Sequence, residues 1–168
     1  MIIAKSAKDL DKMRAVGELI AEVREALRVM VAPGISTMEL NNAAEKMIRD
    51  AGAIPTFIGY HGFPYAICAS VNDEIVHGFS KTTPLVEGDI VSLDMAATFN
   101  GFVGDCAMTC PVGEITDELK QLIRVTEECL ELGIQAARVD NRVGDIGWAV
   151  QQHAEKYGYG IVRDYTGH

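Results

Sequence analysis

The sequence predicts an α+β domain in which pairs of amphipathic helices pack on an antiparallel sheet. Three observations predict it. Helical spacing of apolar residues fills roughly the first fifty positions and returns after about position 117. Between those regions the apolar residues recur in steps of two, as half-buried strands require. An Asn-Gly pair interrupts that alternating stretch, which is the strongest short signal for a hairpin.

Taken in order, Ser6 to about Met30 reads as a helix, with Ser6 and Asp9 as its cap and Leu10, Met13, Ile20, Val23 and Leu27 at helical spacing. Pro33-Gly34 breaks it. Ser36 and Glu39 form a capping box for a second helix that runs to about Asp50, with Leu40, Ala43, Ala44 and Met47 inward and Gly52 as its stop. Tyr65–Val71 and Glu74–Phe79 are expected as short strands around an Asn72-Asp73 turn. Thr82–Gly88 is a loop. Ile90–Phe99 and Phe102–Val112 are the arms of the hairpin closed by Asn100-Gly101. Further helices are expected over about Asp117–Val139 and Val143–Tyr157, the latter closed by Gly158.

A chain of 168 residues can bury one proper core. Its 48% apolar and 23% charged residues are ordinary for a globular protein, and its formal charge of −9 argues against a nucleic-acid or anionic-membrane partner. No apolar run approaches membrane-spanning length. The N-terminal MIIAKSAKDLDKM lacks the features of a secretory signal. Cys68, Cys106, Cys110 and Cys129 lack the spacing of a zinc site or a disulfide framework, so a reduced, cytoplasmic protein with buried thiols is expected.

The end of the sequence echoes its beginning. STMELNNAAEKMIRDAG (Ser36–Gly52) aligns with RVGDIGWAVQQHAEKYG (Arg142–Gly158), and the tetrapeptide ending at His61 aligns with the one ending at His168. The first copy continues into a sheet and the second stops. The expectation is a single catalytic domain over 1–168, with a first half to about residue 112 and the start of a second from about 113. Its C-terminus would then be incomplete, as in a fragment or one piece of a nicked protein.

The hairpin carries the chemistry. With Phe99 facing Phe102, Val91, Leu93, Met95, Ala97 and Phe99 share one face with Phe102, Gly104, Cys106, Met108 and Cys110, which is the core face. The other face holds Ser92, Asp94, Ala96 and Thr98 beside Val103, Asp105, Ala107 and Thr109. Asp94 then stands opposite Ala107, and Asp105 opposite Ala96. The two carboxylates become diagonal neighbours with Cβ atoms about 7 Å apart or less. Charges that close repel unless a cation lies between them, and the alanines leave room for one. Metal ions about 3.5–4 Å apart, bridged by a carboxylate, are a common hydrolytic arrangement. Two aspartates on a solvated surface would show the same spacing.

GYHGFPYAICASVNDEIVHGF (Gly59–Phe79), GDIVSLDMAATFNGFVGDCAMTC (Gly88–Cys110) and VRDYTGH (Val162–His168) resemble, in order and spacing, the type I methionine aminopeptidases. The resemblance implies the pita-bread fold, two pseudo-symmetric halves of helix pairs and antiparallel strands around a dinuclear centre. It implies that Asp94 binds one metal, Asp105 bridges both and His168 binds the other. It makes His77 the catalytic and substrate-binding histidine beside the scissile peptide. Tyr60, Phe63 and Cys68 would form the methionine pocket, with His61 at its edge. Family members often carry cysteine where this chain has Phe57. Two further glutamate ligands and a second histidine lie beyond this stretch in the family, so the isolated 168-residue chain is expected to be inactive and marginally stable.

The activity implied is removal of the initiator methionine from nascent proteins by hydrolysis of the first peptide bond, with two divalent ions (Co, Mn, Fe or Zn) as cofactors. The implied partners are nascent N-termini beginning with Met, and the ribosome, for a cytoplasmic enzyme that is monomeric when complete. A proline-specific dipeptidase and a non-catalytic peptide- or ribosome-binding relative are the competing readings. Of the remaining candidates, His153 and the Glu127-Glu128-Glu131 cluster are expected on solvated helix faces, Trp148 in packing, and Cys106 and Cys110 in the core.

Overall fold

The computed structural model describes residues 3–164, so Tyr165 to His168 lie outside the described residues. The chain divides into two compact units, one ending at Ile115 and the other beginning at Thr116.

In the first unit, helix α1 (Ala7–Met30) opens on a capping box. The Ser6 hydroxyl accepts from the Asp9 N–H, and the Asp9 carboxylate accepts from the Ser6 N–H. Helix α2 (Thr37–Asp50) repeats the device with Ser36 and Glu39. Each helix buries one stripe: Val16, Ile20, Val23 and Leu27 on α1, and Leu40, Ala44 and Ile48 on α2.

Those stripes cover one face of an antiparallel sheet made of β1 (Ile54–Pro55), β2 (Ile67–Val71), β3 (Ile90–Phe99) and β4 (Phe102–Pro111). Strand β3 is central. It pairs with β4 along one edge and, along the other, with β2 at residues 91–95 and β1 at residues 97–98. Asn100 (φ 51°) and Gly101 (φ 81°) turn the hairpin with both residues left-handed, as a two-residue I′ turn needs. Phe99 faces Phe102, and the whole predicted register follows. Val91, Leu93, Met95 and Ala97 are fully buried against the helices, while Cys110 joins that core and Cys106 packs on it.

One expected strand does not form. Glu74–Phe79 is irregular because the His77 N–H donates to the Ile75 carbonyl at 2.8 Å, closing a γ-turn around Val76 at φ 51°. The Glu74 carboxylate takes the Val71 N–H and pairs with Lys81. The segment returns to β2 at Gly78, whose carbonyl accepts from Ala69 and whose N–H donates to the Ser70 hydroxyl, each at 3.0 Å.

The second unit pairs α3 (Asp117–Ala136), capped by the Thr116 hydroxyl, with α4 (Val143–Lys156). Helix α3 stops short of Val139. Asn141 donates its side-chain amide to the Ala136 carbonyl at 2.8 Å, and Asp140 turns the chain at φ 76°. Val125, Cys129 and Ala154 form a small core with Val150, Tyr157, Tyr159 and Ile161 around it. His153 is not solvated as expected: its Nε2 meets Glu128 at 2.7 Å, and Arg124 holds the other carboxylate oxygen at 2.7 Å. These contacts hold the Glu128 carboxyl below its ordinary range, the His153 hydrogen bond first. The pair bridges α3 and α4, a contact no single-helix pattern reveals. Trp148 is 61% exposed, contrary to the expected packing role, because the unit's core lies around Ala154. Helices α2 and α4, the partners in the sequence echo, are both 14 residues long. Among the described residues, no helix is long and apolar enough to cross a membrane.

Candidate metal centre

The face of the sheet turned away from α1 and α2 is built by alternation. Strand β3 contributes Ser92, Asp94, Ala96 and Thr98; β4 contributes Asp105, Ala107 and Thr109; β2 contributes Cys68 and Ser70. Asp94 is flanked by Cys68 on one neighbour and Ala107 on the other, and Asp105 faces Ala96. The diagonal pair of carboxylates predicted from the turn is therefore present. Asp94 is buried at 8% exposure, while Asp105 is exposed.

Hydroxyls on this face pair with one another. Ser92 and Thr109 meet at 2.8 Å on the side of Asp94, and Thr56 and Thr98 meet at 2.9 Å on the side of Asp105. Burial pushes the Cys68 thiol up to about 12, and the charges of Asp94 and Asp105 push it the same way. Cys68 is thus a neutral, soft wall beside two hard oxygen donors.

These donors fit a divalent metal. A carboxylate nine-tenths buried with a second one diagonal to it is stable when a cation neutralises both, and two carboxylates suit Mn²⁺, Fe²⁺, Co²⁺ or Zn²⁺. Among the described residues, no third His, Cys, Asp or Glu completes a metal-holding group with them. His168, the predicted third ligand, lies outside the described residues.

The remaining predicted residues sit on loops beside this sheet. A 3₁₀ turn, Tyr60–Gly62, follows left-handed Gly59 (φ 86°) and carries His61 at φ 47°. Tyr60 and His61 stack edge to face with centroids 4.5 Å apart, and Tyr60 is 68% exposed. Phe63 is half-buried among other rings, edge-on to Phe57 at 6.4 Å, Tyr65 at 5.9 Å and Phe79 at 5.3 Å. His77 is exposed on the segment pinned to β2 through Gly78. Sequence reasoning missed Tyr65 and Phe79. Both fall inside runs that read as strands, and only their aromatic character marks them.

The model of the metallopeptidase family M24 matches residues 11–168. Methionine aminopeptidase 1 of Bacillus subtilis is 46% identical over 168 residues, covering all of this chain and 68% of its own length. Methionine aminopeptidase of Clostridium acetobutylicum is 44% identical over 169 residues, with the same coverage of both. The crystal structure of methionine aminopeptidase from Rickettsia prowazekii superposes with a TM-score of 0.97 at 40% identity, over 100% of this chain and 68% of that one. Prolidase from Pyrococcus furiosus shares the fold alone, with a TM-score of 0.83 at 18% identity over 99% of this chain and 47% of that one. With the helix pairs and antiparallel sheet described above, the fold is the pita-bread fold. The chain belongs to metallopeptidase family M24, among its methionine aminopeptidases.

Proposed function

We propose that this chain carries the first metal-binding carboxylates and the methionine-pocket wall of an enzyme that removes N-terminal methionine by hydrolysing the first peptide bond. The observation behind this reading is the pair Asp94 and Asp105 on one face of a hairpin whose sequence matches the family. Asp94 and Asp105 would hold the divalent ions, with His168 as a further ligand by its place in the family motif. Once bound, the ions supply Lewis acidity and a water activated at neutral pH.

The protein's own groups do the rest. The α-amine of the substrate approaches the carboxylate face, which accounts for exopeptidase specificity. His77 donates a hydrogen bond near the scissile peptide. Phe63, Tyr60 and the neutral Cys68 thiol surround the thioether with polarisable surface, and His61 lies at the pocket's edge. The substrates are nascent chains beginning with Met, met in the cytoplasm beside the ribosome by a monomeric enzyme.

The test is hydrolysis of Met-Ala-Ser by the native protein. Turnover that a chelator abolishes and Mn²⁺ or Co²⁺ restores supports the proposal. Preferential cleavage of Ala-Pro would assign a proline dipeptidase instead. Binding of Met peptides without turnover at any metal loading would assign a non-catalytic relative.

A further inference from the structure

Three rings from two separate segments form a closed triangle next to the proposed pocket. Phe63 and Phe79 lie edge to face at 5.3 Å, Tyr65 and Phe79 at 5.6 Å, and Phe63 and Tyr65 at 5.9 Å, with interplanar angles of 81°, 71° and 81°. Edge-to-face contact is directional, so each ring restrains the tilt of the other two. Phe57 meets Phe63 from outside the triangle, at 6.4 Å and 89°. Phe63 is therefore held by rings on three sides.

Phe79 is tied to the sheet through its neighbour. Gly78 exchanges hydrogen bonds with β2, and a Cβ at that position would lie 2.4 Å from the Ala69 carbonyl oxygen. A side chain at that position would collide with the backbone of β2. The segment delivers His77 on one side of the anchor and Phe79 on the other. Phe79 remains 54% exposed, so burial alone does not account for an aromatic residue at this position.

We infer that Phe79 is a specificity-determining positioning residue: through its edge-on contact it holds the Phe63 ring and so sets the width of the methionine pocket. The inference rests on the reading of Phe63 as a pocket wall. Tyr65 touches both rings, 5.6 Å from Phe79 and 5.9 Å from Phe63. A pocket whose wall is fixed rejects a thioether one methylene too long, whereas a pocket whose wall can swing admits it.

The test compares binding of L-methioninol and L-ethioninol to the metal-loaded native protein and its variants by calorimetry. Discrimination for one methylene is typically at least tenfold. Phe79→Ala should reduce the preference for methioninol by roughly that factor, chiefly by tightening ethioninol, and Phe79→Tyr should retain the preference. A role in folding alone would weaken both ligands equally and leave their ratio unchanged, which would overturn the inference. Phe79→Leu gives the same readout if the alanine variant does not fold. Phe63→Leu separates the two levels. A ratio that responds to Phe63→Leu but not to Phe79→Ala overturns this inference alone, and a ratio that responds to neither overturns the pocket assignment as well.

Discussion

Asp94 and Asp105 are diagonal neighbours on the β3–β4 hairpin, each opposite an alanine, so the space between them is bounded by methyl groups and by the carboxylates themselves. If that space holds metal, Asp94→Asn should weaken Mn²⁺ or Co²⁺ binding on the order of 100-fold in calorimetry, at or above the cost of losing a supporting partner of a ligand. Ala107→Leu tests the room rather than the charge. It should cost at least about tenfold in metal affinity with both carboxylates retained.

The hairpin turn joins the two strands whose register brings Asp94 and Asp105 onto one face. Gly101→Val places a β-branched side chain at φ 81° and should destabilise the protein by about 1–3 kcal/mol in urea unfolding. Metal affinity of the folded variant should be unchanged, because the buried face of β3 enforces the same register. A folded variant with lost affinity would show that the turn alone sets the register.

Val76 is a β-branched residue at φ 51° inside a γ-turn, a conformation that costs roughly 1–3 kcal/mol. Val76→Gly relieves that strain, so stability should change by less than about 0.5 kcal/mol or rise. Leu93→Ala, at a fully buried position, should lose about 2–5 kcal/mol in the same denaturation experiment.

The Ser36 hydroxyl and backbone N–H hold the Glu39 carboxyl below its ordinary value. A carboxyl whose pKa is lower in the folded state stabilises that state above its unfolded pKa, and the stabilisation fades as pH falls through the folded value. Ser36→Ala should therefore show its full deficit at neutral pH, about 1 kcal/mol for a lost N-cap hydroxyl, and a smaller one in acid. Unfolding curves of both proteins between neutral and acidic pH check this.

The sheet register and both capping boxes were legible because they are local: an Asn-Gly turn counts outward, and Ser36 and Glu39 are three residues apart. The failures were contacts between segments. Glu74–Phe79 reads as a strand, yet the tether that takes it out of line runs from Gly78 to β2, next to a local γ-turn at Val76. His153 lies on a polar helical face and still finds Glu128 on another helix. The carboxylate pair followed from parity alone, whereas the gathering of Phe63, Tyr65 and Phe79 needed the folded loops.

Asn41, buried on α2 at 4% exposure, accepts from the Ala66 N–H at 2.8 Å and the Ile67 N–H at 3.4 Å. The helix thereby finishes the hydrogen bonding of the chain entering β2, one residue before Cys68. Helix and strand then open as one cooperative piece, and solvent reaches the amides of Ala66 and Ile67 only when α2 unravels. In deuterium exchange, those two protons should keep time with the middle of α2 and lag behind those of the neighbouring loops.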